Sequence, residues 1–221
     1  MTTSPWLTWQ LADSAFPTGG FAHSFGLEAA WQQGEVTAAS LPSFVRDVVL
    51  QAGRSALPFV VAAYDEPADL PEIDGRCDAF LRNPVANRAS RVQGRAWLGT
   101  VRRAFPSPAV SALCDSARSS GTARHFAPAF GATMRALDID RREAARVFLF
   151  GVARGTLSAA VRLGVIGTMD AQRVLGECGE ELDHALERSE GLSIEEAVQT
   201  APLVDLWQAS HDRLYSRLFQ S

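Results

Sequence analysis

A chain of 221 residues that is 47% hydrophobic can bury one sizeable core, and its 21% charged content excludes disorder throughout. A net charge of −4 and a pI near 5.6 argue against a nucleic-acid binder that works through a broad basic surface. No apolar run approaches the roughly 20 residues that cross a bilayer, and MTTSPWLTWQ lacks the basic leader and apolar stretch of a signal peptide. Cys77, Cys114 and Cys178 are far apart, as expected of reduced thiols in a cytoplasm and not of a disulfide framework. All 21 basic side chains are Arg. Codon bias in a G+C-rich genome accounts for that, as does selection for two-pronged guanidinium contacts.

In chain order, the first informative stretch is DSAFPTGGFAHSFGLEAAWQQG, residues 13–34. Pro17, Gly19 and Gly20 predict a sharp bend between two helices. His23 and Ser24 then lead into a helix whose packing face is Leu27, Ala30 and Trp31 and which Gly34 ends. Ser40 and Pro42 predict a capped start for a helix with Phe44, Val45, Val48 and Val49 on one stripe. LPFVVAAY fits a helix beginning after Ser55, whereas the acidic, Pro-rich stretch 65–76 reads as a linker. Asn83-Pro84 opens a long helix closed by Pro106, and Ser107-Pro108 opens the next, closed by Gly121.

Asp140 and Glu143 have capping-box spacing ahead of AARVFLFGVARGTLSAAVRLG, which is apolar nearly all round and therefore predicts the central helix. Gly151 and Gly155 inside it cost about 1 kcal/mol each relative to Ala, which predicts a neighbouring helix pressed close to both. Residues 168–189 carry Val174, Leu175, Cys178, Leu182, Ala185 and Leu186 at helical spacing, and Ser193 with Glu196 repeats the capping-box pattern. Alternating β patterns are scarce. The expected fold is all-α, one domain over residues 1–221 with roughly eight to ten helices and a C-terminal tail from 204 to 221.

The sequence offers little catalytic chemistry. Asp13, His23 and Ser24 are triad-like in type, yet adjacent His and Ser side chains diverge and nothing fixes Asp13 to them. PTGGFAHS lacks the Lys and spacing of a phosphate loop. His23, His125, His184 and His211 are far apart, with no paired-ligand spacing that would predict an intrinsic metal site. An interaction protein remains the leading class. The alternatives are a small-molecule enzyme built on Asp13, His23 and Glu28, and a carrier that binds a metal ion through His and Cys side chains, His23 or Cys178 among them, at a dimer seam.

LADSAFPTGGFAHSFGLEAAWQQGEV and the closing PLVDLWQASHDRLYSRLFQS resemble the two end motifs of the urease accessory proteins of the UreF family. NRASRVQGRAWL is similar to that family's central helix, and FGATMRALDIDRREAARVFLFGVARGTLSAAVRLGVI to its long apolar helix and the approach to it. The resemblance implies an all-helical, cytoplasmic, non-enzymatic homodimer that binds UreD (also called UreH). Together they dock the GTPase UreG and deliver nickel to apo-urease, with this subunit coupling or regulating GTP hydrolysis. Nickel is then the cargo of the complex, with no cofactor held tightly by this chain, and neither nucleic acid nor a membrane is a partner.

Residue by residue, the resemblance assigns His211, Tyr215, Ser216, Arg217, Leu218 and Phe219 to the tail that becomes ordered on UreD. Arg146 and Phe150 fall at the dimer contact, where the aromatic lacks the hydroxyl of some members. Arg162 takes the position of a basic residue associated with the GTPase, although the Pro and Gln that follow it in the family pattern are missing here. Pro17, Gly19, His23, Ser24, Gly26 and Glu28 form the N-terminal motif. On physical grounds alone, an aromatic tail of this kind either folds back on its own core or docks on another chain.

Overall fold

The computed structural model describes residues 5–221 and, among them, contains helices and no strand. Twelve α-helices run in order: α1 Pro5–Ala12, α2 Leu27–Gln32, α3 Leu41–Ser55, α4 Leu57–Asp65, α5 Leu70–Phe80, α6 Pro84–Ala104, α7 Pro108–Ser119, α8 Phe126–Ala136, α9 Arg141–Arg162, α10 Thr168–Glu177, α11 Gly179–Ser189 and α12 Pro202–Ser210. Short 3-10 turns at Gly20–Ala22, Pro67–Asp69, Ile194–Glu196 and His211–Arg213 join them. The all-α architecture is as expected. The helices beyond eight to ten are short ones, such as α1 and α2, in which sequence periodicity has little length to show itself.

Helix α9 is the axle, packing against α1, α2, α3, α4, α8, α10 and α11. Its side chains are buried on nearly every face, from Ala144 to Ala160. By length and composition it is, among the described residues, the one helix apolar enough to cross a membrane, but 61% of its most apolar stretch is buried inside the protein. That is the signature of a core helix. Around Trp97, buried in α6, an aromatic cluster closes the middle of the bundle: Phe16, Phe126 and Phe130 have ring centres 5.0–5.9 Å from it.

Several predicted caps form. Asn83 accepts from Val85 and Ala86 N–H, Ser107 from Val110 N–H, and Asp140 from Arg142 and Glu143 N–H, each holding first-turn amides that the helix leaves unpaired. Glu196 reaches back to the Ser193 N–H at 3.0 Å, as the capping-box spacing requires. Ser40 does not cap α3. Its hydroxyl turns back to accept from Thr37 N–H at 2.9 Å, which fixes the preceding turn instead.

The stretch read as a linker is corrected most clearly: Leu70–Phe80 is α5, and it has a structural task. It delivers the carboxylate of Asp74, 1% exposed, to the N–H groups of Arg124 (2.8 Å) and His125 (2.6 Å), pinning the loop that enters α8. Arg124 there adopts φ 61°, the left-handed region that a side chain other than glycine occupies at a cost.

Gly151 and Gly155 do not carry the close helix contacts predicted for them. A side-chain carbon at Gly151 meets nothing within 4 Å, and at Gly155 it meets only the ring of Phe25 at 3.2 Å. The tight crossings are elsewhere. At Gly131, α8 lies so close to α4 that an added carbon would stand 1.9 Å from the Val60 carbonyl oxygen. Gly131→Ala is therefore expected to lower stability by about 3 kcal/mol or prevent folding, whereas Gly151→Ala should raise it by up to ~1 kcal/mol. Thermal unfolding of the two variants, read by circular dichroism, checks the contrast.

Candidate functional site: a clasp between the two terminal motifs

The N-terminal motif and the C-terminal tail meet in space, and the meeting point is a buried carboxylate. Gly19 (φ 76°) opens the Gly20–Ala22 turn, and Gly26 (φ 84°) sets the start of α2. A carbon on Gly26 would lie 3.1 Å from both the Val204 carbonyl oxygen and the Gln208 nitrogen of α12, so only glycine lets these backbones approach. α2 thereby carries Glu28, 1% exposed, to face the tail.

Both Glu28 oxygens are occupied. Oε2 accepts from His211 Nε2 at 3.0 Å and from Phe219 N–H at 3.1 Å, while Oε1 accepts from Leu218 N–H at 2.5 Å. A carboxylate only accepts, so the His211 Nε2–H is the donor; its Nδ1 is buried without a partner. A lone charge in such a place costs several kcal/mol, and three donors around it make the burial tolerable.

Beyond Glu28 the two motifs pair directly. Ser24 N–H and Ser24 Oγ both donate to the Ser221 carbonyl oxygen, at 2.7 and 3.0 Å, and Gln220 N–H donates to Ala22 O at 2.8 Å. His23 Nδ1 lies 2.6 Å from Ser221 Oγ. Gln32 and Gln33 hold the outer edge, donating to Ser216 O at 3.0 Å and Ser210 Oγ at 3.1 Å. Phe219 is buried among these contacts. Arg162, from the last turn of α9, places its guanidinium 3.5 Å from the ring centre of Phe21 and 4.3 Å from that of Phe219, and donates to the Phe21 carbonyl. Such cation–π contacts bind the tail to the axle helix.

The residues assigned to the tail thus divide. His211 and Phe219 face inward; Tyr215, Ser216, Arg217 and Leu218 face outward, with Tyr215 fully exposed and Leu218 53% exposed. Arg217 and Arg88 both pair with Asp212, at 3.4 and 2.8 Å. Pro17 and Phe21 also lie on the surface. Arg146 and Phe150 share a face of α9 well away from the clasp: Arg146 is exposed and pairs with Glu143 at 3.5 Å, and Phe150 is half-buried beneath the Arg154 guanidinium.

The triad-like trio does not assemble. Asp13 is exposed and accepts from Ala15 N–H, while His23 and Ser24 both bond to Ser221. Among the described residues, no group of three or more His, Cys, Asp or Glu side chains is placed to hold a metal ion. His125 is a core histidine satisfied on both nitrogens by Ser90 and Asp78, and His184 is exposed. Burial pushes the thiols of Cys77, Cys114 and Cys178 up, away from the thiolate form that binds metals.

Comparison with known proteins covers more than these motifs. Residues 36–179 match the UreF family model, a span that excludes both halves of the clasp. Full-length relatives include it. Urease accessory protein F of Oryza sativa subsp. indica is 37% identical over 223 residues, covering 98% of this chain and 85% of the rice protein. That of Arabidopsis thaliana is 38% identical, covering 98% and 92%, and UreF of Paenarthrobacter aurescens is 30% identical, covering 96% of each. The chain belongs to the UreF family. Its place is therefore in urease maturation, and both terminal motifs of the clasp lie outside the span that the family model matches.

Two residues of the clasp escape sequence reasoning. Gln220 acts through its backbone N–H, and Ser221 through its backbone carbonyl as well as its hydroxyl beside His23 Nδ1; main-chain contacts leave no residue-type pattern.

The clasp is pH-sensitive by construction. Burial, then the neighbouring charges of His211 and Arg88, pull the His23 pKa from 6.5 down to about 4. Between those values the unfolded chain takes up a proton that the folded chain refuses, so stability falls as pH drops through the window. From pH 7 to pH 4 the loss attributable to His23 is about 3 kcal/mol. Urea unfolding across this range is expected to show that slope in the wild type and a flatter one in His23→Gln.

Proposed function

We propose that this chain is a non-enzymatic scaffold of urease maturation: it binds UreD/UreH, and the pair docks the GTPase UreG and passes nickel to apo-urease. The observation that carries this reading is the shape of the clasp. Its inner side fixes the backbone of the tail at Leu218 and Phe219, and its outer side leaves Phe21, Tyr215 and Leu218 exposed to solvent. Exposed aromatic and apolar side chains held on a fixed backbone are what a protein partner anchors on, because little conformational entropy is lost when they are covered.

In this reading the tail is the UreD/UreH contact, and Arg162 belongs to the corner toward UreG, with its guanidinium already ordered by the two rings. The α9 face bearing Arg146 and Phe150 forms the homodimer seam. The complex works in the cytoplasm, nickel is its cargo, and this subunit couples GTP hydrolysis to transfer without catalytic residues of its own.

Co-expression with UreD and UreG from the same source tests it. Tyr215→Ala combined with Leu218→Ala alters only exposed side chains and should leave the helical spectrum and melting temperature unchanged. Recovery of UreD with the affinity-tagged double variant is expected to fall at least tenfold. Undiminished recovery, or a wild-type chain that captures neither partner, overturns the proposal.

A further inference from the structure

Between α1, α6, α8 and α9 lies a cleft of about 600 Å³, which the clasp borders at one end through Phe21, His23, Arg162 and Phe219. Its volume falls within the range of pockets that hold drug-sized ligands. Phe16, Trp97, Phe126, Phe130 and Phe148 make its wall aromatic, and the exposed Ser14, Pro17 and Ser158 form a rim open to solvent.

Gly151 lines this cleft, in the interior of the longest helix, and a carbon added there meets nothing within 4 Å. No close helix crossing fills the position, so the helix surface stands open beside the cleft there, as it also stands open at Gly75 and Gly99 elsewhere. Three residues on, the half-buried guanidinium of Arg154 also lines the cleft. It donates to the Ala12 carbonyl at the end of α1, and among the described residues its other N–H groups have no hydrogen-bond partner. His23 lines the same cleft, 5% exposed, with Nε2 buried and unpartnered.

We propose that this cleft binds an amphipathic carboxylate, a molecule of the medium-chain fatty acid class. Its apolar body lies against the aromatic wall in the space that Gly151 leaves, and its carboxylate accepts from the Arg154 fork. The assignment follows from the chemistry of the walls. An apolar chamber of this size takes a hydrocarbon body, and a planar guanidinium with spare donors matches a carboxylate better than any neutral headgroup. Gly151 and Arg154 lie outside the clasp, and Arg154 adjoins the proposed dimer seam where it stacks over Phe150.

Calorimetric titration of the full-length chain with sodium decanoate, below its micellar concentration, tests the proposal, with uncharged 1-decanol as the control. Decanoate should bind the wild type saturably at one site per chain, more tightly than decanol. Gly151→Leu fills the chamber and should weaken decanoate at least tenfold without lowering the melting temperature. Arg154→Gln should weaken decanoate about tenfold and leave decanol unchanged. The proposal is overturned by heats equal to buffer dilution, by several molecules bound per chain, by wild-type affinity in Gly151→Leu, or by equal loss of both probes in Arg154→Gln.

Discussion

A carboxylate with almost no access to water governs how the chain closes on itself. Glu28 receives hydrogen bonds from residues 183, 190 and 191 positions away, so one side chain near the start fixes the geometry of the end. Joining segments so far apart carries a loop-closure cost that grows only slowly with separation, and charge-assisted hydrogen bonds in a dry site are strong enough to oppose it. The arrangement is all-or-none. A buried carboxylate stripped of its donors is far worse than one exposed, so the tail is either seated on Glu28 or withdrawn together with the surroundings of α2.

The rest of the molecule supports this contact. Gly26 lets α2 press on α12, from whose end His211 emerges, and Asn83 ties α12 to the start of α6 through the Asp205 carbonyl at 3.0 Å. Arg162 connects the seated tail to α9, the helix against which seven others pack. A partner that grips Phe21, Tyr215 and Leu218 therefore pulls on a structure continuous with the core, and not on a loose end. The α9 helix itself has two characters: densely packed where α3, α4 and α8 meet it, and open beside Gly151.

Much of this was legible in the sequence, and the reasons are physical. The all-α fold, the capped helix starts and the buried character of α9 follow from short-range patterns of apolar spacing and punctuation. The two terminal motifs stood out as residue types. What they do to each other did not, because a hydrogen bond between residues 28 and 219 leaves no mark in local periodicity. The stretch 65–76 misled because its prolines and acids resemble a linker, when Pro71 sits in the first turn of α5 and Asp74 is an internal anchor. Gly151 misled in the opposite direction, since a missing side chain marks either a close neighbour or open space, and here it is open space.

In the free chain the tail is seated on Glu28. Native-state hydrogen exchange of the Leu218 and Phe219 amides measures that directly. The account predicts protection approaching that of core amides in α9, collapsing selectively at these two positions in Glu28→Gln, where an amide donor faces donors. Exchange of both amides at the rate of an unstructured peptide in the wild type would contradict it.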